Sequence, residues 1–461
     1  MTELIEQNLT TLAEMVRTNK VSSVEVVEAY LRQIDTFNPR LNAIVTLASD
    51  ALNQAREAER MLSTGRNVGA LQGLPLTIKD TIETAGLRST SGSPTRANFV
   101  PTRDAPAVAR LKASGAIILG KTNPAEMAMD YTADNPVFGR TNNPHNLAKT
   151  PGGSSGGEAV AIATCMSPGG LGSDLAGSIR IPAHFCGIAG LKPTTNQVPG
   201  AGQYPPSIGP YSLGAAIGPM ARSIADLRLL FRVLSNSEHS PARSIVDLKN
   251  IGAAWYTDDG VTPVTKDTQS AVRDAARALA DAGLRVEELR PPHVERGYDL
   301  WLQLFSRASV VQLRGVYAGY EDRAGSFVSW RLRTAEDTPP ATLDQYIASW
   351  MERDRLRAEL LEWLTTTPII VAPVGATAAY DHGTLKVSVG EQTFGNFKAF
   401  SYAHTFNVFD LPVVSVPAGS TQDRLPIGVQ IVGRPGEEET VLAAAEIVEK
   451  ALGGWRRPDI L

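Results

Sequence analysis

The stretch KTPGGSSGGEAVAIATC, residues 149–165, sets two serines between two pairs of glycines and then runs into an apolar, helix-like segment. A second glycine-rich run, GGLGSDLAGSIRIPAHFCGIAGLKPT at 169–194, carries further serines. Serines in two such loops suggest paired hydroxyls, and a hydroxyl at neutral pH needs a base to become a nucleophile. Lysine can be that base if burial lowers its pKa from a free value of about 10.4, since a low-dielectric setting disfavours the ammonium form. Lys79, which ends the apolar run LPLTI as the chain enters a turn, is the best-placed candidate.

Two short motifs offer other chemistry. GAIILGKT, Gly115 to Thr122, fits the phosphate-loop pattern G-x-x-x-x-G-K-[ST]. That pattern needs its strand before the first glycine and its helix opening at the Lys-Thr end. Here Ala-Ile-Ile-Leu between the glycines reads as the strand, ARLKAS before Gly115 reads as a helix, and Asn123 and Pro124 delay the next helix past Thr122. Gly153 to Gly157 fits G-x-S-x-G, with Ser155 as the nucleophile of an elbow. An elbow follows a strand, and the preceding TNNPHNLAKTP is polar and broken by Pro144 and Pro151. No spacing singles out one of the six histidines as its base.

The elements that must hold these residues alternate. Residues 21–35 read as an amphipathic helix with a capping box from Ser22 and Glu25. LPLTI is a strand, APAVARLKASG a helix, AIIL a buried strand, and Asn123 with Pro124 opens a further helix as cap and first position. NIGAAWY, DTQSAVRDAARALADAGL and RVEEL form a strand, helix, strand unit. Trp301, Arg314, Tyr317, Trp330 and Trp350 follow in helical stretches, an aromatic stripe of the kind that packs a core. PIIVAPVG, LPVVSVPAG and LPIGVQIVG are buried strands, and EEETVLAAAEIVEKAL is a closing helix. The order implies an α/β fold with helices covering a mixed, mostly parallel sheet on both faces.

Composition excludes several functions. The 44 basic and 48 acidic residues leave a net charge of −4, which gives no electrostatic case for nucleic acid or an anionic membrane. No apolar run approaches the roughly 18 residues of a membrane span. The first residues carry Glu3, Glu6, Glu14 and Arg17 where a signal peptide would be apolar, so a soluble cytoplasmic protein is expected. Cys165 and Cys186 read as buried reduced thiols, and a metal site on His184 and Cys186 lacks further ligands nearby.

PGGSSGGEAVAIA…LGSDLAGSIRIPAHFCGIAGLKPT, with LPLTIKD upstream and GAIILGKTNPAEMAMD between, resembles the amidase signature family. Lys79, Ser154 and Ser178 follow the order and spacing of that family's Lys, cis-Ser, Ser triad. The likeness is close over 71–200 and returns over 400–434 in YAHTFNVFDLPVVSVPAG…LPIGVQIVG. It implies one amidase-signature domain over 1–461, with 236–395 as a variable region that shapes the substrate pocket. It also implies that Ser178 attacks a carbonyl carbon, that Ser154, after a cis bond to Gly153, relays the proton to neutral Lys79, and that an acyl-enzyme is then hydrolysed. Leu175, Ala176, Gly177 and Ser178 would supply the oxyanion-hole N–H groups. Ala176 departs from the family's usual glycine, and its methyl would crowd the acyl side.

By the same resemblance Ser155 supports the site near Lys79, and Asp174 and Arg180 hold the loop through charge-assisted hydrogen bonds. Met127, Ala128, Met129, Asp130 and Tyr131 fall where the family lines its substrate channel. The implied function is a serine hydrolase of C–N bonds in amides, with aryl amides, carbamates and esters as close alternatives. A second possibility is the amidase component of a glutamine-dependent amidotransferase. No metal or other cofactor is called for. The expected partner is a small amide-type substrate, with no nucleic acid or membrane, and the expected assembly is a monomer or homodimer.

Overall fold

Short apolar runs bounded by Gly, Pro and Asn become the strands of one sheet in the computed structural model, which describes residues 2–66, 69–236, 246–336 and 341–460. In chain order they are β1 (Ile44–Leu47), β2 (Pro75–Lys79), β3 (Ile117–Thr122), β4 (Gly169–Asp174), β5 (Ala189–Lys192), β6 (Ala216–Ala221), β7 (Gly252–Trp255), β8 (Arg285–Glu288) and β9 (Ile369–Pro373). A separate hairpin, β10 (Lys386–Val389) and β11 (Gln392–Gly395), precedes β12 (Val413–Ser420) and β13 (Pro426–Val432). Eleven strands form the sheet in the order β1-β3-β2-β4-β6-β5-β12-β13-β9-β7-β8.

Parallel pairs join β3, β2 and β4 near one edge and β9, β7 and β8 at the other. The ladder from β4 to β9 is antiparallel, as is the β1 edge. The expected mixed α/β sheet is present, its parallel share carried by the two flanks. A parallel pair needs a crossover, and the helices Pro106–Ala113, Gly156–Ala163 and Lys266–Asp281 supply three. Both faces are buried. Along β9, Ile369 and Val371 enter the main core, whereas Ile370 and Ala372 enter a second, aromatic-rich one.

The helix expected over 21–35 follows two shorter ones, Thr2–Glu6 and Leu9–Arg17, and spans Ser23–Leu41, with the Ser22–Glu25 capping box formed. It runs past residue 35 to a left-handed cap at Asn42, whose N–H donates to Asn38 O. The helix expected from Asn123 and Pro124 does not form. Met127 and Ala128 there have φ of 55° and 57°, which stops a helix after the single turn Glu126–Ala128. The Asn123 amide instead donates to Gly139 O and Thr141 Oγ1.

The last six of the eight phosphate-loop letters, Ile117 to Thr122, are β3 itself, and the buried Lys121 amine is held by Ile82 O, Thr84 Oγ1 and Ser89 Oγ. The two cysteines are buried free thiols. His184 is also committed: its Nε2 contacts Thr377 O and its Nδ1 accepts from Gly428 N–H. Among the described residues, no helix is long and apolar enough to cross a membrane.

Strand, helix and strand follow as expected over 252–288 and add β7 and β8 to the same sheet. Beyond them, Gly297–Trp301 and Arg307–Tyr317 form a helix interrupted by one π turn, Leu302–Ser306. The helices Ser326–Glu336 and Leu343–Trp363 complete this region, and the β10–β11 hairpin is an element that local sequence pattern does not separate.

Helix Gly156–Ala163 reaches the sheet only because Gly157 has no side chain. A Cβ there would strike backbone atoms of Asn123 and Ala43, and the Gly157 N–H donates to Asn123 O (3.0 Å). Neither neighbour can swing aside as a side-chain tip could. Gly157→Ala is expected to lower stability by about 1–3 kcal/mol. Urea unfolding checks this, and an unchanged midpoint would show that the helix can lift off the sheet without loss.

Candidate active site

Lys79 ends β2, and Ser173 and Asp174 end β4, its parallel neighbour. Parallel pairing brings both carboxyl ends to one edge, the usual location of a ligand site in such a sheet. Ser154 lies in the turn that enters helix Gly156–Ala163, after a cis Gly153–Ser154 peptide. Ser178 precedes helix Arg180–Cys186. All three expected triad residues therefore come together from separate parts of the chain.

Lys79 Nζ lies 2.7 Å from Ser154 Oγ and 3.0 Å from Ser173 Oγ. The lysine is fully buried, and burial brings its pKa down to about 7 against the opposing pull of the Asp174 and Glu158 carboxylates. Glu158 accepts from Thr77 Oγ1 (2.5 Å) and Thr122 Oγ1 (2.7 Å), and burial raises its own pKa to about 7. Ser178 and Ser154 line one cavity. The Ser178 hydroxyl has no hydrogen-bond partner among the described residues, while its carbonyl accepts from Ser155 N–H (3.1 Å).

Ser155 does not bond to the lysine directly and satisfies backbone groups beside it. Its Oγ contacts the backbone N and O of Ser173, both at 3.4 Å, and Ser173 supplies the hydroxyl that Lys79 meets. The sequence carries no signal for Ser173 beyond its place before Asp174, and the contact spans 94 positions.

The loop from Asp174 to Arg180 is clamped from within. Arg180 donates through Nε to Asp174 Oδ2 (3.0 Å) and through Nη2 to Oδ1 (2.8 Å), with both side chains fully buried. Asp174 also accepts from the N–H groups of Gly177 (2.9 Å) and Ile179 (3.0 Å). Burial alone would raise the Asp174 pKa, but the Arg180 charge and these hydrogen bonds hold it well below the usual carboxylate range.

Of the four N–H groups expected to form an oxyanion hole, Gly177's is thus taken by Asp174. Those of Leu175, Ala176 and Ser178 have no hydrogen-bond acceptor among the described residues. Neighbouring carbonyls are tied back, Leu175 O by Trp301 Nε1 (2.9 Å) and Ala176 O by the Tyr131 hydroxyl (2.6 Å). His404 Nε2 lies 2.9 Å from the same hydroxyl. Burial lowers the His404 pKa to about 3, so the ring is neutral. Positive φ falls on Gly177 (96°), so Ala176 fits without the left-handed backbone that would penalise a side chain.

Met127, Ala128, Met129, Asp130 and Tyr131 all line the same cavity of about 230 Å³. Trp301 and Trp330 line it too, although the aromatic stripe reads in sequence as core. Trp350 does pack inside, against Phe305 and Tyr346. Tyr317 is buried and donates to Glu126 Oε1 (2.6 Å).

Removing one partner of a buried ion pair leaves the other charge uncompensated, at a cost of about 3–5 kcal/mol. Asp174→Asn should therefore be less stable than wild type by about that amount at pH 7. A carboxylate with a depressed folded pKa stabilises fully above its unfolded value and loses that contribution as pH falls toward the folded one. The gap should narrow once pH drops below about 4, the unfolded value for aspartate. Urea titrations at both pH values test this, and a pH-independent gap would exclude a buried Asp174 carboxylate as its source.

Comparison with known proteins adds to this geometry. The Amidase family profile matches residues 25–442. Fatty-acid amide hydrolase 2 of Homo sapiens is 30% identical, over 97% of this chain and 89% of that relative. A glutamyl-tRNA(Gln) amidotransferase component of a Sulfurihydrogenibium species is likewise 30% identical, with 96% of each chain covered. A solved amidase structure superposes with a TM-score of 0.88 at 27% identity, over 97% of this chain and 100% of the other. The family match takes in β2, both glycine-serine loops and the two strands β12 and β13, and on that extent this chain belongs to the Amidase family.

Proposed function

We propose that this amidase hydrolyses the C–N bond of small, largely apolar amides through Ser178, Ser154 and Lys79. The observation that carries the reading is a fully buried lysine, its pKa brought down to about 7, 2.7 Å from a serine that shares a cavity with a second, unpartnered serine hydroxyl.

In this mechanism Ser178 Oγ bonds to the substrate carbonyl carbon. Its proton passes to Ser154 Oγ as the Ser154 proton passes to neutral Lys79 Nζ. The N–H groups of Leu175, Ala176 and Ser178 receive the negative oxygen of the tetrahedral intermediate. The C–N bond then breaks, and the lysine's proton returns through Ser154 to the leaving nitrogen. Water adds to the acyl-enzyme by the same route and loses its proton toward Lys79. Collapse releases the acid, and Ser178 Oγ regains a proton.

Ammonia release from glutamine for a partner enzyme uses the same groups. Cavity walls formed by Tyr131, Trp301, Phe305, Phe327 and Phe397 favour an apolar substrate over glutamine. Turnover of an anilide by the isolated chain supports the first reading, and turnover of glutamine only with a co-purified partner supports the second.

Two experiments test the assignments. A phosphonyl or sulfonyl reagent should add its mass to the peptide that contains Ser178, and Ser178→Ala should lose both the label and turnover. A label on Ser155 would restore the elbow assignment. Lys79 acts in its neutral form, so kcat/KM should rise with pH through an apparent pKa near 7. Lys79→Met should lower kcat by roughly 100- to 10,000-fold. A profile that climbs only toward pH 10 would remove the lysine as base.

A further inference from the structure

The cavity changes character along its length. Trp301 stands at the reactive end, its indole bonded to Leu175 O of the loop beside Ser178. From Trp301 the helix continues past Leu302 and Phe305 to Ser306, Ser309 and Gln312, all lining residues. At that far end Arg331 enters from helix Ser326–Glu336. Its Nη2 donates to Ser306 O (2.8 Å), Ser306 Oγ (2.8 Å) and Ser309 Oγ (3.0 Å).

Arg331 is half-buried, and among the described residues it has no carboxylate partner and no acceptor for Nε or Nη1. The two acids that line the cavity are occupied, Asp174 by Arg180 and Asp130 by the Tyr131 N–H and the Thr132 hydroxyl. An outer groove that shares Arg331 adds Arg307 and Arg314 and no acidic residue among those described. Among the described residues, the guanidinium at the far end of the cavity therefore carries positive charge with no carboxylate paired to it. A guanidinium fixed through one nitrogen still presents other N–H groups to a planar anion.

We propose that Arg331 binds a carboxylate at the end of the substrate remote from the scissile amide, which makes the substrate an amphipathic amide with an apolar middle and an anionic tail. The inference rests on the hydrolase reading above. Ser306 and Ser309 lie five and eight residues along the helix from Trp301. At 1.5 Å per residue the anion site stands roughly 8–12 Å from the reactive end. An extended chain gains roughly 1.2 Å per bond, so about eight bonds separate the two ends.

The test is a series of anilides of increasing acyl length, each made with a terminal carboxylate and with a terminal hydroxymethyl group. Wild type should prefer the carboxylate, with the ratio of kcat/KM values greatest near eight bonds. Arg331→Met should reduce that ratio roughly 10- to 100-fold, chiefly through KM, as expected for losing a charged hydrogen bond. Arg331→Lys, which keeps the charge without the fork, should restore part of it.

The wild-type series needs no variant, so it stands even if Arg331→Met does not fold. A hydroxymethyl preference at every length overturns the inference, as does an unchanged ratio in a folded Arg331→Met protein. Hydrolysis of the neutral series alone leaves the hydrolase reading intact while removing the anion site. Turnover of neither series removes both.

Discussion

The site depends on one buried ion pair, Asp174 with Arg180. Both side chains are out of contact with water, and each would be expensive alone. Together they satisfy each other, and their remaining hydrogen-bonding capacity organises what surrounds them. Asp174 takes the N–H groups of Gly177 and Ile179, so it shapes the turn that carries Ser178. Arg180 reaches Ala403 O, Asn407 Oδ1 and Gln430 Oε1, which ties helix Ser401–Val408 and β13 to the same point. That explains why the likeness over 71–200 returns over 400–434. The later stretch supplies the outer partners of a charge that lies in the earlier one.

The pair also bears on the lysine. A lone carboxylate near Lys79 would favour the ammonium form and work against a neutral base. Arg180 offsets the Asp174 charge, and burial then outweighs the remaining pull of Asp174 and Glu158 to bring Lys79 to about 7. Desolvation and charge act in opposite directions here, and desolvation is the larger of the two. Thr77 and Thr122 donate to the two oxygens of Glu158 and favour its charged form, while burial acts against them and raises its pKa to about 7.

Much of this was legible in the sequence, for physical reasons that differ between residues. The Ser22–Glu25 cap and the strands β2, β12 and β13 rest on local pattern, which survives folding because it concerns neighbours along the chain. Lys79, Ser154 and Ser178 were legible as a set because their glycine-rich surroundings resemble a known family. Ser173 was not, because what recruits it is a packing contact across 94 positions. The helix assigned to Asn123 failed for a related reason: the Asn123 side chain is used by Gly139 and Thr141, a loop that local pattern does not bring near. Trp301 and Trp330 read as core because periodicity reports which face of a helix is apolar. It does not report whether that face meets a neighbour or a cavity.

Trp301 also limits how far chemistry and specificity can be separated. The loop that carries Ser178 is held by an ion pair and by one glycine at a position where a side chain finds no room: at Gly177 a Cβ would meet Ala403 and Ile181. The walls are helices of the 297–336 region, where side chains can change without disturbing the sheet. Yet the Trp301 indole holds Leu175 O, and with it the orientation of a peptide group in the loop that carries Ser178. A wall residue is therefore also a support of the loop. Change at Phe305 or Arg331 touches the cavity wall alone, while change at Trp301 acts on the wall and on the loop beside Ser178 together. Variation in specificity is physically easiest beyond the first turn of that helix, where the wall no longer touches the loop.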